Sequence, residues 1–188
     1  MNKYCRICWN TEGWQRPTGD ARNIETGTFV AKNGFGLEEW LFNYNHILRK
    51  DGIEYKYGFL QPLGKYWTTY EKSTFDVLLY VYSPGKNCLL IGEIKNVFVP
   101  SLDELTCAFQ KMEQSNIVSQ MKGNLSHLDI KTQEFDLGDP RHVINIRFTK
   151  DDVLIYKTPR KVTDQNHKII RNKRYVPMDW DDGYPSYV

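Results

Sequence analysis

Two apolar runs joined by a turn constrain this chain most. Residues 75–82 read Phe-Asp-Val-Leu-Leu-Tyr-Val-Tyr, and residues 88–99 return as Cys-Leu-Leu-Ile-Gly-Glu-Ile-Lys-Asn-Val-Phe-Val. Ser83-Pro84-Gly85-Lys86-Asn87 between them is turn chemistry. The pattern predicts a β-hairpin that is central to the fold. Ser101-Leu102-Asp103-Glu104 then has the spacing of a capping box and starts a helix. That helix reaches Gln114, and a second helical piece extends to Lys122 before Gly123. Residues 143–148 and 153–156 read as strands. Upstream, residues 37–49 read as a helix with Leu37, Trp40, Leu41, Tyr44 and Leu48 along one side. Asp51-Gly52 makes a turn, and residues 53–60 form a strand. Residues 1–35 hold scattered glycines and little periodicity, and read as an irregular arm with a short strand at 28–31. The expected fold class is α+β, with a curved, mainly antiparallel sheet or a barrel and two or more helices. Residues 1–158 would form one recognition domain, with 159–188 a basic segment and tail packed on it.

Bulk properties exclude several classes. The chain has 188 residues, 40% hydrophobic and 26% charged, which suits a globular domain with its own core. No apolar run approaches the roughly 20 residues that span a bilayer, so no membrane partner is expected. No basic start precedes an apolar run, so a cytoplasmic location is expected. Four cysteines, Cys5, Cys8, Cys88 and Cys107, are too few for a disulfide scaffold and point to a reducing compartment. Cys5-Arg6-Ile7-Cys8 is a lone Cys-x-x-Cys, and His46, His127, His142 and His167 lack paired spacing. Zinc needs four ligands, so these cysteines are expected to pack the arm. No phosphate loop, nucleophile elbow or dinucleotide fingerprint is present.

Three constellations carry candidate chemistry. Net charge is only +2, yet Arg160, Lys161, Lys168, Arg171, Lys173 and Arg174 cluster against the single acid Asp164. Such a cluster can neutralise phosphates, or simply face water. Asn33-Gly34-Phe35-Gly36 precedes Trp40 and is followed by Tyr57-Gly58-Phe59-Leu60-Gln61-Pro62. Aromatics make up 14% of the chain, and those beside flexible glycines suit a pocket that stacks a base. Gln61 could read a base edge bidentately. Asn33, Phe35, Trp40, Tyr57 and Gln61 are therefore candidate nucleic-acid contacts together with the six cations. The third pattern is Asp76 followed by Glu93-Ile94-Lys95. Two carboxylates can hold Mg²⁺ through oxygen ligands, and a lysine can position the attacking water. A four-residue hairpin loop would set Asp76 on the face of Glu93 and Lys95, and a three-residue loop, Pro84–Lys86, would turn it away.

These motifs bear resemblances. Gly34-Phe35-Gly36-x-Glu38-Glu39-Trp40-Leu41-Phe42, Tyr57 to Pro62, Phe75-Asp76-Val77 and Gly92-Glu93-Ile94-Lys95-Asn96-Val97 resemble a bacterial DNA-recognition domain found ahead of nuclease domains in restriction-type proteins. The hairpin return resembles PUA-like β-barrels, including EVE- and SRA-type readers of modified bases. This implies a DNA-binding module of a restriction or antiviral defence system, reading modified bases such as a 5-modified cytosine by base flipping. It would need no cofactor and would act with a nuclease domain or subunit, either standing alone or as an excised domain. Asp76 and Glu93-x-Lys95 also resemble the PD-(D/E)xK nuclease signature, with Glu38 or Glu39 as the helix glutamate. That alternative implies a Mg-dependent endonuclease with Glu39, Asp76, Glu93 and Lys95 as its catalytic set. A protein-interaction domain with an exposed aromatic patch is the remaining alternative.

Overall fold

The computed structural model describes residues 2–23, 28–132, 135, 138–172, 174–180 and 183–188. Its elements run β1 (Lys3–Arg6), α1 (Phe29–Asn33), β2 (Ile47–Lys50), β3 (Ile53–Gly58), α2 (Gln61–Gly64), α3 (Trp67–Tyr70), β4 (Thr74–Tyr82), β5 (Cys88–Phe98), α4 (Leu102–Gln114), α5 (Ile117–Ser126), β6 (Ile146–Phe148), β7 (Val153–Lys161), α6 (Lys168–Arg171) and β8 (Met178–Asp179). The fold is α+β. Among the described residues, one eight-stranded sheet has the order β2-β3-β6-β5-β4-β1-β8, and β7 also pairs with β5. Only the β1–β4 pairing is parallel. The sheet is open, with β2 and β8 at its ends, so of the two expected arrangements the barrel does not form.

The hairpin of β4 and β5 closes through a three-residue loop. Ser83 N–H donates to Asn87 O, and Lys86, at φ 58°, donates to Ser83 O. That loop alone would turn Asp76 away from Glu93. The ladder, however, shifts register between Leu79 and Tyr80, so Leu78 lies opposite Glu93 and Val77 opposite Ile94. Asp76 itself lies at a second register shift, between Phe75 and Val77, and alternates with Leu78 onto the face of Glu93. An extra residue in one strand reverses the alternation beyond it, and no turn signal announces it.

Alternation along β4 gives the sheet two covered faces. Val77, Leu79 and Val81 enter a first core with Ile94, Val97 and residues of α4 and α5. Leu78, Tyr80 and Tyr82 enter a second core with Tyr4, Leu90, Tyr156, Ile169 and Met178. The hairpin is buried on both sides, which explains its nearly continuous apolar runs.

The first 50 residues differ from expectation. The segment at 28–31 is helical, because the Thr28 hydroxyl accepts from Ala31 N–H and Gly34 adopts a left-handed cap at φ 87°. The arm supplies β1, which lies between β4 and β8. The helix expected over 37–49 shrinks to a 3-10 turn at Leu37–Trp40. Leu48 instead pairs with Tyr55 in a tight hairpin, for which Asp51 and Gly52 both take positive φ. The expected boundary after residue 158 falls inside β7. Among the described residues, no helix is long and apolar enough to cross a membrane.

Candidate nucleic-acid interface

Tyr156, on β7, anchors the basic segment to the sheet. It is buried, and its hydroxyl donates to Glu93 Oε1 at 2.8 Å. Four residues on, the Arg160 guanidinium stacks on the Tyr156 ring at 3.9 Å and on Tyr187 at 4.7 Å, and it donates to Tyr187 Oη at 2.8 Å. Such stacking holds a cation against aromatic faces without neutralising it. Residues 186–188 run beside the end of β7: Lys161 and Val188 exchange both backbone hydrogen bonds, and Thr163 donates to Ser186. The C-terminal tyrosines are thus placed next to the cations. Tyr184 is 48% exposed and Tyr187 41%, and Trp180 packs edge-on against Tyr184.

The other cations lie along β7 and α6; Arg160 is paired with Leu90 of the second core, whereas Lys161 is paired with Leu89, which packs on the first. Lys157, Lys161, Arg171 and Arg174 are exposed. Lys168 lies over the Tyr4 ring at 5.3 Å, and Arg6 lies between the rings of Tyr82 and Tyr175. α6 is capped by His167, whose Nδ1 accepts from Ile169 N–H. Lys173 lies outside the described residues. Burial, with the Glu93 carboxylate beside it, pushes the Tyr184 hydroxyl up to about 12. Burial and then the Glu93 bond also raise Tyr156. Both remain neutral phenols at ordinary pH, so the face keeps its positive charge.

The remaining expected contacts are placed elsewhere. Phe35 is fully buried, and Trp40 is 2% exposed with its indole N–H on Asn124. Both belong to the first core, so neither presents a ring to a ligand. Tyr57 is buried and donates to Glu104 Oε1. Asn33 donates to Phe29 O inside α1. Gln61 lines one cleft, together with Phe59, Lys65 and Arg141, and Tyr57 lines another, together with Leu48, Lys50 and Glu104. The two halves of the expected binding site therefore lie apart: Phe35, Trp40 and Tyr57 belong to the first core, whereas Arg160 and α6 sit on the second.

The acidic pattern is also divided. Asp76, Glu93 and Lys95 share one face, but Asp76 Oδ1 accepts from Asn96 N–H and Glu93 accepts from Tyr156. Glu38 and Glu39 are buried in the turn that packs with the first core, and Glu38 accepts from Gln61 N–H. Of the alternative set, Glu39 lies in the turn that packs with the first core, whereas Asp76, Glu93 and Lys95 lie on the strands of the hairpin. Among the described residues, no group of three or more His, Cys, Asp or Glu side chains is arranged to hold a metal ion.

Reading the sequence alone missed Tyr156, Tyr184 and Tyr187. Their spacing around the cationic run was visible, but the pairing of 186–188 beside β7 was not. Comparison with protein-family profiles, curated proteins and solved structures finds no match.

Proposed function

We propose that this chain is a DNA-binding domain that holds the phosphate backbone with the cations of β7 and α6 and stacks unpaired bases on Tyr184 and Tyr187. The observation that carries this reading is Arg160, stacked between Tyr156 and Tyr187 on the strand that also carries exposed Lys157 and Lys161. Cationic grooves interleaved with aromatic faces are how single strands are gripped without sequence readout. A bacterial restriction or defence setting in the cytoplasm, with a nuclease as separate domain or subunit, accords with this reading. A base-flipping pocket walled by Phe35 and Trp40 finds no support, since both rings are packed in the core. A second reading, a Mg-dependent endonuclease, rests on the shared face of Asp76, Glu93 and Lys95.

Fluorescence anisotropy with a labelled oligonucleotide, single-stranded and then duplex, tests both readings. The single strand should bind more tightly, with log affinity falling linearly as log salt rises. Lys161→Glu with Arg171→Glu should weaken binding about tenfold or more and flatten the salt slope by about one per lost contact. Tyr184→Ala with Tyr187→Ala should cost about 1–3 kcal/mol per stacked base while sparing the slope. Absence of binding at low salt, or unchanged binding in these variants, would sink the proposal. With Mg²⁺ added the DNA should stay intact; cleavage abolished by Glu93→Ala would favour the second reading instead.

A further inference from the structure

We propose that the cleft beside Gln61 is a binding site for a nucleoside monophosphate. The cleft measures about 410 Å³, a size that accepts small organic ligands. Phe29, Leu37 and Phe59 supply an apolar wall, and Gln61, Lys65, Asp139, Arg141 and His142 supply polar groups around it. A planar ring against aromatic side chains, with an anion near the cations, matches that division.

Gln61 and Arg141 are anchored at the cleft. Gln61 begins α2, and its backbone N–H is fixed to Glu38 Oε1 at 3.2 Å. None of the hydrogen bonds described for this chain uses its side-chain amide, whose donor and acceptor complement a base edge. Arg141 is fixed twice: Nε and Nη2 bond the Asp139 carboxylate at 2.9 and 2.6 Å, and the guanidinium lies 5.1 Å from the Trp67 ring centre. Its Nη1 makes none of these bonds. Arg141 holds Asp139 below the usual carboxylate range, so this pair stays ionised and mutually neutral. The positive charge offered to an anion therefore comes from Lys65, exposed at the rim. His142 Nε2 lies 3.9 Å from Asp139 Oδ2.

This cleft is separate from the surface proposed to hold DNA. Leu37 and Phe59 of the cleft belong to the first core, whereas Arg160 and α6 sit on the second.

Isothermal titration of the whole chain with AMP, CMP, GMP and UMP tests it, with inorganic phosphate and the free nucleosides as controls. At least one monophosphate should bind about tenfold tighter than both phosphate and its own nucleoside, a difference of about 1.4 kcal/mol. Lys65→Ala with His142→Ala should erase the advantage over the nucleoside. Gln61→Ala should flatten the differences among the four bases. Lys65 and His142 are exposed and Gln61 half-buried, so far-ultraviolet dichroism should show these variants folded. No saturable binding of any monophosphate overturns the assignment. So does equal affinity for inorganic phosphate, or unchanged affinity in the folded variants.

Discussion

Glu39 and Glu104 both lie within the first turns of helical segments, and their surroundings shift them in opposite directions. Glu104 is pushed up by burial, but hydrogen bonds from Lys50 and Tyr57 and the charge of Arg147 outweigh this and hold it low. Its stabilising contribution is present above the ordinary carboxylate value and is lost as pH falls through the lowered one. Glu39 is fully buried, and neither carboxylate oxygen meets an aligned donor. Burial, and then the neighbouring Glu38 charge, push it up to about 8; the Thr18 backbone and Asn10 amide temper the shift without cancelling it. The folded chain therefore keeps this proton up to about pH 8, while the unfolded chain releases it near its ordinary value of 4.5. Stability must fall as pH rises between those values and level off above them. Glu39→Gln should remove that fall, leaving the variant more stable than the parent by a few kcal/mol (~2–4) at pH 8 and similar near pH 4.5. Urea unfolding midpoints at several pH values measure this. A parent whose midpoint does not fall across this range would contradict it.

At the scale of elements, short-range signals held where the chain pairs with its near neighbours. The hairpin of β4 and β5 forms, and α4 begins after Ser101, whose hydroxyl accepts from Glu104 N–H. The reciprocal half of the expected capping box is absent, because Glu104 turns instead to Lys50, Tyr57 and Arg147. Arg147 Nε lies 2.6 Å from Glu104 Oε1, and its guanidinium stacks between Tyr55 and Phe98. Long-range electrostatics overrode a local motif there. Gly92 has the reverse significance: in sequence it merely weakens a strand, but in the sheet it lets β7 approach β5. A Cβ at Gly92 would lie 2.3 Å from Leu154 O and 3.0 Å from Ile155 Cα. Both are backbone atoms, so relief requires moving the strand. Gly92→Ala should destabilise by about 3 kcal/mol and loosen the Tyr156–Glu93 contact. Chemical denaturation gives the first effect, and faster amide exchange in residues 153–156 the second. Wild-type stability in this variant would mean that β7 does not lie as described.

At the scale of the whole molecule, the two chain ends complete the sheet together. β1 pairs with β4 on one side and β8 on the other, and Lys3 forms an ion pair with Asp179. Trp180 N–H donates to Asn2 O, and the Tyr4 hydroxyl to Gly183 O. Met178 and Trp180 help cover the second core. A chain ending at Pro177 removes Met178 and Trp180 from the second core and uncovers Tyr4, losing about 1.5–3 kcal/mol for each large apolar side chain no longer buried. Its thermal midpoint should drop by about 10 °C or more, with increased binding of a hydrophobic dye; an unchanged midpoint would refute this account of the second core. By itself, the sequence determined the α+β class, the hairpin and its turn, the start of α4, the Asp51-Gly52 turn and the concentration of positive charge after Pro159. Each depends on residues within a few positions of one another, where side-chain chemistry and backbone preference act directly. Tertiary structure alone decided that residues 3–6 are a strand inside the sheet and that Leu48 leaves a helical pattern for β2. It also decided that a register shift returns Asp76 to the face of Glu93, that Phe35 and Trp40 are core rather than pocket, and that Tyr184 and Tyr187 lie beside the cations. Those outcomes depend on pairing and burial between distant segments, and a one-residue change of register, invisible in local spacing, is enough to move a side chain from one face of the sheet to the other.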